Sequence, residues 1–241
     1  MLIDAHAHFA TPDELSARSR VRTVFCGTDP ASAAVALSLR SENRLVACGL
    51  HPWQADWVTV AELLPFIRES AALGEIGLDC VWTDVDMAIQ RRAFVEQLDL
   101  AQGVGLPVVL HTKGMEGEIA RTLRSYDVPK LVHWYSCGAY LPDYLDQDCY
   151  FSVGPDYESN PTVQALIRRV PLDRLLTETD GLEAVAWALN RPATPDMIEE
   201  ILRGELCAIA AAHGVSPEEA ERRVEANLDR FLSQRGVTEA R

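Results

Sequence analysis

An α/β chain folded as a (β/α)8 TIM barrel, one domain over residues 1–241, is what the sequence predicts, and three observations predict it. The length fits a parallel barrel, which runs to roughly 200–250 residues as a single unit. Short apolar, β-branched runs alternate with longer amphipathic segments from end to end, the pattern of repeated βα units. The side chains able to do chemistry gather at the ends of those runs, which in a parallel barrel all open on one face.

The elements follow in order. Leu2–His8 (LIDAHAH) is the first strand, and because side chains alternate, His6 and His8 share one side of it. Thr23–Thr28 (TVFCGT) leads into a helical segment over Pro30–Ser41, and Leu45–Leu50 (LVACGL) into one over Val60–Ala71. Ala72–Asp79 (ALGEIGLD) is the fourth strand. The helix after it, Met87–Gly103, places Ile89, Phe94, Leu98 and Ala101 at spacings that fall on one face of a 3.6-residue period. Pro107–His111 precedes a helix at Gly117–Tyr126. Lys130–Tyr135 and Tyr150–Pro155 are the sixth and seventh strands, the latter followed by Pro161–Val170. Leu175–Asp180 is the eighth, followed by Pro195–His213. A closing helix, Pro217–Leu232, opens on Ser216 as N-cap with Glu219 three residues later. No repeat, linker or charge block divides the chain.

Composition narrows the function classes. With 48% hydrophobic and 24% charged residues the chain can bury a full core. Lys+Arg 22 against Asp+Glu 36 gives a net charge of −14, which repels a long polyanion or an anionic membrane at long range. The six cysteines are widely spaced with no CxxC pair, so reduced thiols are expected, with Cys26 and Cys48 buried and inert in apolar runs. MLIDAHAHF has no leader-like pattern, and no stretch approaches the ~20 apolar residues of a membrane span. The expectation is a cytoplasmic protein with no membrane partner.

Chemistry concentrates at the strand ends. His6 and His8 close the first strand, Glu75 lies in the fourth, His111 ends the fifth, His133 falls near the end of the sixth and Asp180 ends the eighth. Singly, each has an ordinary reading: HxH is a weak signal, Glu75 could pair with a cation, Asp180 could cap a helix, and His111 or His133 could be a satisfied core group. Together they are four imidazoles and two carboxylates, a donor set for Zn, Mn, Fe, Co or Ni, with Mg as a further option. That is too many ligands for one open ion. Two divalent ions with a bridging carboxylate and a hydroxide between them are the economical arrangement, and hydrolysis is the reaction this implies.

These residues sit in motifs that resemble the TatD-like metal-dependent hydrolases, a branch of the amidohydrolase barrel superfamily. MLIDAHAHF, GLHPW, GEIGLD, QRRAF leading into GLPVVLHTKG, LVHWYSCG, YFSVGP, LLTETDG and SPEEAERRVEANLDRFL carry the resemblance, in order, along the whole chain. It implies a phosphodiesterase or deoxyribonuclease in which His6, His8, Glu75 and Asp180 hold one metal and Glu75, His111 and His133 the second. Glu75 would bridge, and Asp180 would also orient or deprotonate the attacking water. A glutamate on the fourth strand, where other branches carry a lysine, separates this pattern from the phosphotriesterase and dihydroorotase types.

Around the six ligands, His51 of HPW could donate to a phosphate oxygen or order its loop. Lys113 sits where relatives carry arginine and could bind phosphate as a point charge. Trp53, Trp82 and Trp134 could stack a base or simply pack, while Asp79 is expected as a hydrogen-bond acceptor. The rim departs from the family: HWYSCG for HCFSG, ETDGL for ETDSP, and NRPATP in place of an RNEP element. Alternatives are therefore an amidohydrolase, esterase or lactonase using the same ions on a neutral substrate, and a metal-binding barrel without turnover. Two divalent ions against Glu75, Asp180 and a hydroxide leave the mouth at about +1 inside an acidic protein. A strand end or small phosphodiester is thus the expected partner, and extended duplex binding is not.

Overall fold

In the computed structural model, which describes residues 1–8 and 11–233, eight strands pair in parallel in chain order. They are β1 (Leu2–Ala7), β2 (Val21–Gly27), β3 (Arg44–Cys48), β4 (Ala72–Asp79), β5 (Val108–Lys113), β6 (Lys130–Val132), β7 (Tyr150–Val153) and β8 (Leu175–Thr177). A parallel bridge between Ala7 and Asp180 joins the last strand's exit to the first. The (β/α)8 barrel predicted from the alternating runs is the fold. Phe9 of the opening motif and the chain beyond residue 233 lie outside the described residues.

The helices are α1 (Pro12–Ala17), α2 (Pro30–Ser38), α3 (Val60–Ile67), α4 (Met87–Val104), α5 (Glu116–Leu123), α6 (Leu141–Leu145), α7 (Pro161–Arg169), α8 (Leu182–Leu189), α9 (Met197–His213) and α10 (Pro217–Ser233). Local chemistry sets their ends: Asp29 accepts from the amides of Ala31 and Ser32 to open α2, and Gly105 in the left-handed region (φ +69°) stops α4. Glu219 N donates to Ser216 Oγ at 3.2 Å, the cap expected for α10. Three helices, α1, α6 and α8, have no counterpart in the sequence reading. β6, β7 and β8 are shorter than predicted, so His133 lies one residue beyond β6 and Asp180 three beyond β8. No helix of the described residues is long and apolar enough to cross a membrane.

The β8–β1 seam is clasped by side chains. Thr177 Oγ1 donates to Ile3 O at 2.5 Å, and Thr179 donates to Asp4 through its amide (2.9 Å) and its hydroxyl (2.6 Å). Arg18, buried with Asp4, pairs with that carboxylate and donates to Thr179 Oγ1 at 2.9 Å. Behind the seam, α9 packs Ile198, Leu202, Leu206 and Ile209 on the barrel and carries Glu205 into the same interior, where it accepts from Glu178 N at 3.2 Å.

Burial, with repulsion from Asp4 and Glu178, holds the Glu205 carboxyl well above the ordinary glutamate range. The folded chain therefore keeps a proton that the unfolded chain releases, and stability falls as pH rises above that ordinary range. Glu205→Gln keeps the carbonyl acceptor and removes the titration. It is expected to raise Tm at pH 8 by roughly 2–4 °C per kcal/mol recovered, the gain shrinking toward pH 5. A Tm lowered equally at both pH values in scanning calorimetry would contradict this.

Candidate metal centre

The mouth of the barrel is organised around one carboxylate. β4 runs so close to β5 that a Cβ on Gly77 would lie 1.9 Å from His111 O, so only glycine fits at position 77. Glu75 is 2% exposed and holds five imidazoles. Its Oε2 lies 3.2 Å from His6 Nε2 and 3.3 Å from His8 Nε2. Its Oε1 lies 2.7 Å from His111 Nδ1, 2.7 Å from His133 Nε2 and 3.4 Å from His51 Nε2. Asp180 Oδ1 completes the first group, 3.3 Å from His6 Nε2 and 3.5 Å from His8 Nε2.

Backbone geometry delivers these atoms. His6 and His8 project together from the end of β1, as the strand alternation predicts. Asp180 adopts φ +56°, a left-handed conformation that costs a non-glycine residue of order 1 kcal/mol, and its N–H donates to His6 O at 3.0 Å. Outer carboxylates orient the rings. His111 Nε2 meets Asp79 Oδ2 at 3.0 Å, and that oxygen also accepts from Trp53 Nε1 at 2.6 Å. Asp79 Oδ1 accepts from the amides of Val81 (2.7 Å) and Trp82 (2.9 Å), so the hydrogen-bond acceptor expected here is in place. His133 Nδ1 lies 3.4 Å from Glu178 Oε1, while Glu178 Oε2 accepts from Ser152 Oγ at 2.6 Å.

The charges are strongly interdependent. Burial disfavours ionised Glu75, but His133, His51 and His6 outweigh it and hold the carboxyl well below the ordinary range. Burial likewise opposes protonation of His133, yet Glu75 and Glu178 raise it to about 10, and His6 and His111 are also raised. His51 behaves oppositely: burial, reinforced by His111 and His8, pushes it down to about 4 against the pull of Glu75.

This donor set fits divalent ions. His6 Nε2 and Asp180 Oδ1, which face each other at 3.3 Å, are both buried without a hydrogen-bond partner, as expected of groups whose partner is a cation. Ligand atoms lie within 4.8 Å of one another in three groups: His6, His133 and Asp180; His6, Cys26 and Glu75; and His51, Glu75 and His111. His8 is in none of these groups, but its Nε2 lies 3.3 Å from Glu75 and 3.5 Å from Asp180, so the six residues expected as ligands all stand around these two carboxylates.

His51 comes closer than a phosphate donor need be: it touches Glu75 and also accepts from Trp53 N at 3.3 Å, so it both orders its loop and borders the centre. Cys26 is buried as expected, yet within ligand range of His6 and Glu75. Lys113 Nζ sits 4.1 Å above the Trp82 ring and 3.4 Å from Ser136 Oγ, and Trp134 donates its indole N–H to Asp156 Oδ1 at 2.7 Å. All line a cleft of about 940 Å³. Three contributors, Glu178, Asp156 and Trp187, are not among the residues the sequence singles out. Glu178 was legible as the residue two before Asp180, whereas Trp187, on a helix not predicted, left no signal.

Comparison with known proteins gives concordant results. A family model described as TatD related DNase matches residues 3–233. YjjV of Escherichia coli K12, described as an uncharacterized metal-dependent hydrolase, is 30% identical over 218 residues, 79% of this chain and 84% of its own. A protein of Cronobacter turicensis named 3'-5' ssDNA/RNA exonuclease TatD is 29% identical over 201 residues, 76% of this chain and 75% of its own. Among solved structures, the E. coli YjjV crystal structure superposes with a TM-score of 0.81 at 24% identity, covering 96% of this chain and 97% of that one. A TatD-family hydrolase of Entamoeba histolytica gives 0.77 at 15% identity, covering 95% and 97%.

Proposed function

The chain belongs to the TatD-related DNase family, and from that premise we propose that it is a two-metal phosphodiesterase, one catalytic domain acting on nucleic-acid ends or small phosphodiesters. The observation that carries this is the division of the two Glu75 oxygens, Oε2 among His6 and His8, Oε1 among His111, His133 and His51. His6, His8 and Asp180 would hold one ion with Glu75, and His111 and His133 the other. Zinc, manganese, cobalt, nickel or iron suits these nitrogen-rich donors, with magnesium as a further option. Such ions supply electrophilic charge to a phosphoryl oxygen and bring the pKa of water toward neutrality.

The chain's own residues supply the rest. Glu75 spans the two halves of the centre, while Asp79 and Glu178 fix the His111 and His133 rings through their second nitrogens. Asp180, beside the first ion, would also orient the attacking water or accept its proton. His51, neutral at pH 7, accepts from Trp53 N at Nδ1 and so carries its proton on Nε2, the nitrogen beside Glu75, and Lys113 offers the cleft a point charge for phosphate. The Cronobacter exonuclease's named activity on ssDNA and RNA supports a nucleic-acid end as substrate. Six free cysteines support a reducing, cytoplasmic setting.

Protein loaded in turn with Mn, Co, Zn, Ni, Fe and Mg is expected to cleave short single-stranded DNA or bis-p-nitrophenyl phosphate with at least one of them. Affinity for extended duplex at physiological salt is expected to be weak, given the −14 net charge. Absence of phosphodiester turnover with every metal overturns the reading, and turnover confined to neutral esters, amides or lactones moves the reaction to those bonds.

A further inference from the structure

Four tryptophans form a continuous arc around the cleft. Trp53 and Trp82 have ring centroids 6.3 Å apart, Trp82 and Trp187 6.0 Å, and Trp187 and Trp134 5.8 Å, each pair edge to face. The ends of the arc are fixed. Trp53 is pinned through Nε1 to Asp79 and Trp134 through Nε1 to Asp156. Trp134 takes φ +37° and its indole fills the place a side chain on Gly154 would need, 2.4 Å from where the Cβ would stand. The middle of the arc is open: Trp82 is 49% exposed and Trp187 66%. Trp187 arrives from α8, after β8, yet meets rings that follow β4 and β6. Since β8 stands opposite β4 in a ring of eight strands, Trp187 reaches across the mouth.

This arc lies in a cleft poor in cations. Among the described residues lining it, Lys113 is the one lysine or arginine, and it already rests on Trp82, while Asp156 and Glu183 line it too. Charge therefore cannot hold a nucleic acid here beyond the phosphate at the centre, whereas indole faces can hold a base of any sequence. Interior bases of a duplex have both faces covered by their neighbours, whereas an unpaired base at a strand end can turn a whole ring face to an indole. We propose that Trp82 and Trp187, with Trp134 behind them, form a stacking site for one unpaired nucleobase beside the hydrolysed phosphodiester. The site takes the planar ring of a single-stranded end, and its affinity depends little on salt. For substrate class this rests on the phosphodiester reading, but the ring site is testable without turnover.

The test has two arms. In the metal-free, full-length protein, deoxyadenosine is expected to quench tryptophan fluorescence saturably while deoxyribose does not. The quench is lost in Trp187→Ala and Trp82→Ala, retained in Trp187→Phe, and retained in Trp57→Phe, which alters an exposed indole outside the cleft. In the metal-loaded protein, kcat/KM for a short single strand is expected to exceed that for the same strand with abasic terminal nucleotides on the order of tenfold. In Trp187→Ala that ratio falls toward one, with the loss in KM rather than kcat. No saturable quench, or a quench unchanged in both alanine variants, overturns the stacking site. A ratio unaltered in Trp187→Ala overturns its role in substrate choice. The expected quench pattern with no phosphodiester cleaved upholds the ring site and rejects the phosphodiester reading instead.

Discussion

Glu75→Gln is expected to lower hydrolysis by about 10³ or more and to leave the purified protein depleted of metal. Both oxygens of this carboxylate are shared among imidazoles, so no neighbour can replace it. Glutamine matches its shape but carries no charge, and one end becomes a donor facing rings that need an acceptor or a cation. Metal content per chain by mass spectrometry, measured with kcat, checks this, and circular dichroism separates loss of ligation from loss of fold. Wild-type metal content and turnover in the variant would remove Glu75 from the centre. Asp180→Asn, by contrast, is expected to keep more of the metal while losing the proton acceptor. The pH dependence has a definite sign. The metal-free protein holds protons on His133, raised to about 10, and on His6. Metal uptake must expel those protons, so affinity climbs with pH across the neutral range.

Arg18→Met is expected to cost about 3–5 kcal/mol of stability, because it leaves the fully buried Asp4 without its cation. For a chain of this size that corresponds to a fall of roughly 6–20 °C in Tm. Pairing it with Asp4→Asn is expected to recover part of the loss, since a neutral amide is far cheaper to bury unpaired than a carboxylate. Urea unfolding of the two single variants and the double closes the cycle. A single-variant loss below about 1 kcal/mol would show the pair to be solvated rather than structural. Activity is expected to fall as well, because the same clasp holds Thr179, whose neighbour is Asp180.

The barrel was legible because strands buried on both faces read as short, mainly apolar runs separated by helix-length segments, and all eight such runs survive as strands. The six candidate ligands were legible because charged and imidazole side chains stand out at the ends of those runs. What the chain hid has physical reasons. LEAVAWAL, the α8 segment, is apolar on nearly every face, so no 3.6-residue period marks it as helix, and Trp187 disappeared with it. α1 and α6, of six and five residues, are too short to show a period. β6 and β8 stop after three residues because the chain then bends to aim His133 and Asp180 inward, the latter through a left-handed residue no propensity foretells. The contact of His51 with Glu75 is a matter of distance between strands, which spacing along the chain does not encode.

The seam between β8 and β1 has a mechanical consequence. Elsewhere in the ring, neighbouring strands share a ladder of two to five registered pairs, whereas here the described residues offer one bridge, Ala7 with Asp180, and a clasp of side chains. Such a joint is the natural place for the barrel to breathe, with amides there exchanging through partial opening rather than global unfolding. His6 and His8 stand on one side of it and Asp180 on the other. An ion gripped by all three would rivet the joint, so loading the centre and tightening the ring become one event, legible as slowed hydrogen exchange in β1 and after β8.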